Sequence, residues 1–166
     1  MMKLQCIESY KKNGYIQGMK LKNILSPKLV KVHLDGTTKQ EVIKELLALL
    51  VEDGKVQDVE LAYNDMMERE RTMSTGIQHG VAIPHAKTKA VKDLVACIGI
   101  KPEGIDFQSL DGEPSKIFIM TLSPYDRVGP HVQFLAEISM VIKTPEARER
   151  LINAKTVSDV LSVFGL

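Results

Sequence analysis

Cysteine is scarce in this 166-residue chain, with only Cys6 and Cys97, far apart in sequence. A disulfide framework of the kind that staples small secreted domains needs more, so none is implied. Cys97 sits inside the apolar run LVACIGI, where a reduced, buried thiol is expected. No run is long enough to span a bilayer, and the N-terminal MMKLQCIESYKKNGYIQGMK lacks the apolar stretch of a signal peptide. The expectation is a soluble, cytoplasmic protein without direct membrane insertion. Neither sign of charge is in excess: 22 Lys+Arg stand against 21 Asp+Glu, a net charge of +1. The broad basic field that nonspecific nucleic-acid binding requires is therefore missing, and nucleic acid is not an expected partner. Internal repeats and low-complexity tracts are absent too, as are the GxSxG of serine hydrolases and the GxGxxG of dinucleotide-binding folds.

What is present is ordinary globular composition, 44% hydrophobic and 26% charged, with length enough for one domain and a real core. Residues 1–20 are polar, contain the turn pair Asn13-Gly14 and read as an N-terminal extension with a small hairpin, leaving 21–166 as the domain. In LVKVHLD (29–35), Val30, Val32 and Leu34 alternate with Lys31, His33 and Asp35, which predicts a half-buried strand with His33 on its wetter face. Thr38 and Glu41 form a capping box ahead of Val42, Ile43, Leu46, Leu47 and Leu50, an amphipathic helix stopped by Gly54. A second helix is predicted over Val59–Arg69, with Val59, Ala62, Tyr63 and Met66 facing the core and Arg69 at its C-terminal end. LVACIGI and KIFIMTL read as strands buried on both faces at the centre of a sheet. After the turn-rich SPYDRVGP, helical spacing of Phe134, Leu135, Ile138, Val141 and Ile142 starts essentially at His131. Thr144-Pro145 opens a further helix, and Thr156 a last one.

Three of the four histidines, His79, His85 and His131, lie in or beside glycine- or proline-bearing loops next to predicted core elements. His85 follows Pro84 at the end of a short apolar run, so its ring is displayed rather than buried. An imidazole in such a position is a nucleophile near neutral pH. Gly76, Gly80 and Pro84 supply close packing and fixed turns beside it. A helix starting at His131 would offer orphan N–H groups to an anion, and Arg69 a bidentate guanidinium. These parts suit phosphoryl transfer, where positioning and charge stabilisation do most of the work.

The pattern Arg69-Glu70, Ser74-Thr75-Gly76-Ile77, Gly80-Val81-Ala82-Ile83-Pro84-His85, with His131 opening a helix and the turn region Ile105–Pro114 between, resembles a known family. It is that of enzyme IIA domains of the fructose/mannitol/nitrogen-regulatory class of the bacterial phosphoenolpyruvate-dependent phosphotransferase system, and the resemblance covers 21–166. It implies a single α/β domain, a mixed β-sheet flanked by helices on both faces. It further implies that His85 accepts a phosphoryl group, through Nε2, from the phosphocarrier HPr and passes it to a IIB cysteine, with no metal, nucleotide or other cofactor. His131 matches the family's second active-site histidine and Arg69 its active-site arginine. The positive end of the His131 helix is expected to disfavour imidazolium. Thr75 is expected to bind phosphate through its hydroxyl or N–H, and His79, where related sequences of the nitrogen-regulatory type carry asparagine or another small polar residue, to lie near the site as a phosphate-binding residue without a catalytic role. Val81 and Ile83 either form a dry docking surface or belong to the core.

Two other functions stay open on the residues alone. A regulatory module of the nitrogen type would use phosphorylation as a switch for binding regulatory protein targets. A zinc hydrolase would take His79, His85 and His131 as three imidazole ligands, though the spacing is not that of HExxH.

Overall fold

The computed structural model describes residues 21–166; the N-terminal extension with its Asn13-Gly14 turn and Cys6 lies outside them. Two short 3₁₀ turns, Leu21–Asn23 and Pro27–Leu29, lead into β1 (Val30–Lys31). There follow α1 (Lys39–Glu52), α2 (Val59–Thr72), β2 (Val81–Ala82), β3 (His85–Lys87), β4 (Val95–Ile105), β5 (Ser115–Ser123), α3 (Val128–Ile142), α4 (Pro145–Ile152) and α5 (Val157–Val163). The strands form one mixed sheet in the order β1-β4-β5-β2, with β3 also pairing to β5. β4 and β5 are antiparallel and central, whereas β1 runs parallel to β4, and β2 and β3 run parallel to β5.

Side-chain alternation along the central strands sorts the core into two layers. Phe118, Met120 and Leu122 of β5 pack with Val42, Ile43, Leu46 and Leu50 of α1 and with Ala62 and Met66 of α2. Ile117 and Ile119 point the other way, into Phe134 and Ile138 of α3, Leu151 of α4 and Val160 of α5. The sheet is thus covered by helices on both faces, as the resemblance implies. That is why β4 and β5 read as continuous apolar runs and not as alternating ones. Val81 and Ile83 are buried in the α3 layer, so they are core and not docking surface.

Local signals placed the helices well. Thr38 Oγ1 accepts from the Glu41 N–H at 3.2 Å while the Glu41 carboxylate accepts from the Thr38 N–H at 3.2 Å, completing the capping box of α1. Thr156 and Asp159 do the same for α5. Three expectations need correction. Only Val30–Lys31 of the 29–35 segment is strand; the Leu34 N–H still bonds the Ile100 carbonyl, and His33 is exposed as expected. Val59 is 47% exposed, because as the first residue of α2 it stands outside the packed stripe. The third correction concerns α3, which starts at Val128 and not at His131.

Gly99 shows how tightly the α1 layer is seated. A Cβ there would lie 2.7 Å from Leu34 Cδ1 and 2.8 Å from Leu46 Cδ2. Gly99→Ala should lower unfolding stability by about 1–3 kcal/mol through overpacking, measured by chemical denaturation; an unchanged midpoint would show that this layer has slack.

Candidate functional site

The last turn of α2 carries Arg69 and Glu70. Glu70 is buried, and its carboxylate accepts from Lys39 Nζ at 2.9 Å, from the Thr75 N–H at 2.9 Å and from the Thr75 hydroxyl at 2.6 Å. Three partners compensate the buried charge and fasten the Ser74-Thr75-Gly76 loop to both α1 and α2. Both Thr75 donors are thereby used inside the protein. The phosphate-donor role expected of Thr75 gives way to a structural one.

From that loop the chain enters the sheet edge. The Ile83 N–H bonds the Thr75 carbonyl at 3.0 Å, and the Thr121 N–H of β5 bonds the Pro84 carbonyl at 2.9 Å. Pro84 has no N–H and separates β2 from β3. His85 then folds back on its own chain, its Nδ1 lying 2.8 Å from the Ile83 carbonyl oxygen. A carbonyl can only accept, so Nδ1 carries the proton and Nε2 keeps a lone pair. Arg69 Nη2 approaches that Nε2 at 3.4 Å, while its Nη1 donates to the Met73 carbonyl at 2.8 Å.

His85 pairs in register with Thr121, and Lys87 with Ser123, so these four side chains share the α3 face of the sheet. His131, buried on α3, meets His85 there with ring centroids 5.6 Å apart and planes inclined at 58°. Its Nδ1 lies 2.6 Å from Ser123 Oγ. Because α3 begins at Val128, the His131 N–H is already bonded to the Arg127 carbonyl at 3.3 Å, so it is not the orphan backbone donor that the sequence suggested. His85 is half-buried where a displayed ring was expected, and burial is the main reason that both rings resist protonation. It lowers the His85 pKa below the usual 6.5, with the Arg69 charge adding to the effect. Burial takes His131 down to about 4, helped by charge on His85 and Lys87. Both imidazoles are neutral at pH 7.

His79 is elsewhere. The Ile117 N–H bonds the Gly80 carbonyl while the Thr121 N–H bonds that of Pro84, so four residues of β5, roughly 13 Å, separate the two ends of this segment. His79 sits at the far end, exposed, with φ +59 and its N–H held by Asp111 Oδ2 at 2.9 Å. Its expected proximity to the site is therefore not found, and the three imidazoles required by the zinc alternative are not assembled. Among the described residues no group of three or more His, Cys, Asp or Glu is placed to hold a metal ion. Lys87, Thr121 and Ser123 were not singled out from sequence. Thr121 and Ser123 alternate as polar residues at the end of an apolar strand, a signal that marks one face of that strand as unlike the rest of the core.

A family model described as the phosphoenolpyruvate-dependent sugar phosphotransferase system, EIIA 2, matches residues 23–165. The chain belongs to that family. The fructose-specific EIIA component of the phosphotransferase system (PTS) of Haloferax volcanii is 36% identical over 137 residues, covering 81% of this chain and 89% of that protein. The PTS fructose-specific EIIABC component of Bacillus subtilis is 30% identical over 147 residues, covering 89% of this chain. This chain spans only 23% of that longer relative. The crystal structure of the nitrogen regulatory protein IIA-Ntr from Neisseria meningitidis superposes with a TM-score of 0.81 at 24% identity, covering 87% of this chain and 98% of that one, a likeness of fold. Among the described residues of this EIIA domain, no helix is long and apolar enough to cross a membrane.

The lowered histidine pKa values make acid stability a property of the site. A histidine with pKa near 6.5 when unfolded and about 4 when folded binds more protons in the unfolded state between those values. His131 therefore contributes a loss of stability on the order of 1 kcal/mol per pH unit as pH falls below about 6.5, levelling near pH 4. Denaturation of wild type and His131→Asn at pH 7 and pH 5 should show a shallower decline in the variant; parallel declines would mean that the ring titrates normally in the folded protein.

Proposed function

We propose that this EIIA domain is a cytoplasmic phosphocarrier that accepts a phosphoryl group from phospho-HPr on His85 Nε2 and passes it to a IIB cysteine for uptake of a sugar of the fructose/mannitol class. The observation that carries the reading is the Nδ1–H bond of His85 to the Ile83 carbonyl, which leaves Nε2 unprotonated beside Arg69 and His131. The identity to a fructose-specific EIIA component over 89% of that protein's length supports sugar uptake over nitrogen-type regulation.

In the forward step the Nε2 lone pair forms an N–P bond to the incoming phosphorus as the donor's own N–P bond breaks, and the donor imidazole keeps that electron pair. No proton has to move at His85, since its proton stays on Nδ1. The return step mirrors this: an acceptor thiolate attacks phosphorus and Nε2 leaves as a neutral imidazole nitrogen. Arg69, freed from its long contact with Nε2, would turn its guanidinium to the equatorial phosphoryl oxygens, where charge is spread in the transition state. His131 would donate one ring N–H to the same oxygens. Low pKa serves both roles, because an imidazolium at His85 has no lone pair for the attack. Met73, Tyr125, Val128 and Val132, all more than half exposed, are apolar residues of segments that also carry Arg69 or His131, and they suit a transient protein interface. Thr75 and His79 take no part in the chemistry.

The proposal is tested by incubation with phosphoenolpyruvate, enzyme I and HPr followed by intact-mass spectrometry. Wild type should gain one acid-labile phosphoryl group, His85→Ala none. Arg69→Ala should still accept phosphate but about a hundredfold more slowly, the cost of losing one preorganised charged donor. Labelling of His85→Ala at the wild-type level would overturn the assignment.

A further inference from the structure

We propose that Ser123 is the positioning residue that fixes the His131 tautomer, its Oγ–H donating to Nδ1 so that the ring's single proton sits on Nε2, free to donate to a phosphoryl group on His85. The inference rests on the phosphocarrier reading above and adds to it a residue that acts through another. Oγ and Nδ1 are 2.6 Å apart, and distance alone leaves the donor undecided between them. Counting protons decides it. Ser123 is fully buried, and His131 Nδ1 is the hydroxyl's partner among the described residues. Were Nδ1–H the donor, the hydroxyl proton would be left in the interior without an acceptor, a cost that the opposite arrangement avoids.

The electrostatics point the same way. A doubly protonated ring is not the alternative, because burial, with the Lys87 charge beside it, holds His131 neutral. Lys87 Nζ lies 3.5 Å from the Pro124 carbonyl, next to Ser123 in the chain, which keeps a cation at this end of the strand. A neutral imidazole has one proton to place. With it on Nδ1, His131 would turn a lone pair toward phosphoryl oxygens; with it on Nε2, the ring is a donor. Ser123 therefore selects between a ring that repels the phosphorylated state and one that binds it. β5 serves both histidines, since its Thr121 pairs in register with His85 and its Ser123, two residues on along the same face, holds His131.

The test combines ring-nitrogen NMR with phosphorylation by two donors. Long-range ¹H–¹⁵N correlation spectra of the wild type should show His131 with an unprotonated Nδ1 and a protonated Nε2. Ser123→Ala should mix the tautomers of His131, leave those of His85 unchanged and slow phosphoryl acceptance about tenfold, the loss of roughly one hydrogen bond. Rates are read with phospho-HPr and with phosphoramidate, a chemical donor that needs no protein interface. A proton on Nδ1 of wild-type His131, or unchanged rates with both donors in Ser123→Ala, would overturn the inference. Failure of wild type to gain phosphate from either donor would instead overturn the phosphocarrier reading. If Ser123→Ala does not fold, the wild-type ring spectrum alone decides.

Discussion

A buried carboxylate, Glu70, is the constraint around which this site is organised. Left unpaired in the interior it would be strongly destabilising, and breaking such a pair by removing one partner typically costs about 3–5 kcal/mol. The chain must therefore bring Lys39 from α1 and both donors of Thr75 to it. That requirement fixes where α2 ends relative to α1 and how the Thr75-Gly76 loop leaves it. Arg69 is the residue before Glu70. With Glu70 held on the inside of the last helical turn, Arg69 is directed to the rim, where its second nitrogen is tied to the Met73 carbonyl. The guanidinium reaches His85 from the α2 layer, whereas His131 reaches it from the α3 layer. Only an edge strand allows this, and β3, which pairs with β5 alone, is one.

The chemistry proposed for His85 then follows from a backbone detail. Pro84 interrupts the strand, and the Ile83 carbonyl accepts from the His85 ring two residues on. The ring is held at one nitrogen and presents the other. Burial keeps it neutral, the positive charge of Arg69 keeps it so more firmly, and in the proposed phosphorylated state the same charge would be favourable. One arrangement would therefore serve both halves of the proposed transfer cycle, protecting the lone pair before the reaction and balancing negative charge after it.

Much of this was legible in the sequence, and the limits have physical causes. The helix of residues 39–52 announces itself through a capping box and that of 157–163 through Thr156 at its start, both local hydrogen-bond chemistry. β4 and β5 announce themselves as apolar runs. His85, His131 and Arg69 were singled out by their motif, and the fold brings all three together. What sequence could not supply was distance along a strand. His79 is six residues from His85, and in a compact loop that spacing would make them neighbours; in an extended segment paired with β5 it sets them far apart. Thr75 was misread for a related reason, because its hydroxyl looks free until the carboxylate five residues earlier is seen to turn inward. The start of α3 was placed late because Val128 and Gly129 carry no capping signal, and the Arg127 N-cap makes no side-chain bond. Ser123 and Lys87 carry no signal of their roles in the sequence, since their significance lies in register with β3 and in the approach of a helix eight residues on.

The central claim is that the Ile83 carbonyl, by holding Nδ1–H, makes Nε2 of His85 the reacting atom. Phosphorus–proton correlation NMR of the phosphorylated protein tests it most directly, because the two ring nitrogens couple differently to the ring protons. A single phosphohistidine at His85 with phosphorus on Nε2 is the predicted result. Phosphorus on Nδ1, or on any residue other than His85, would contradict the account.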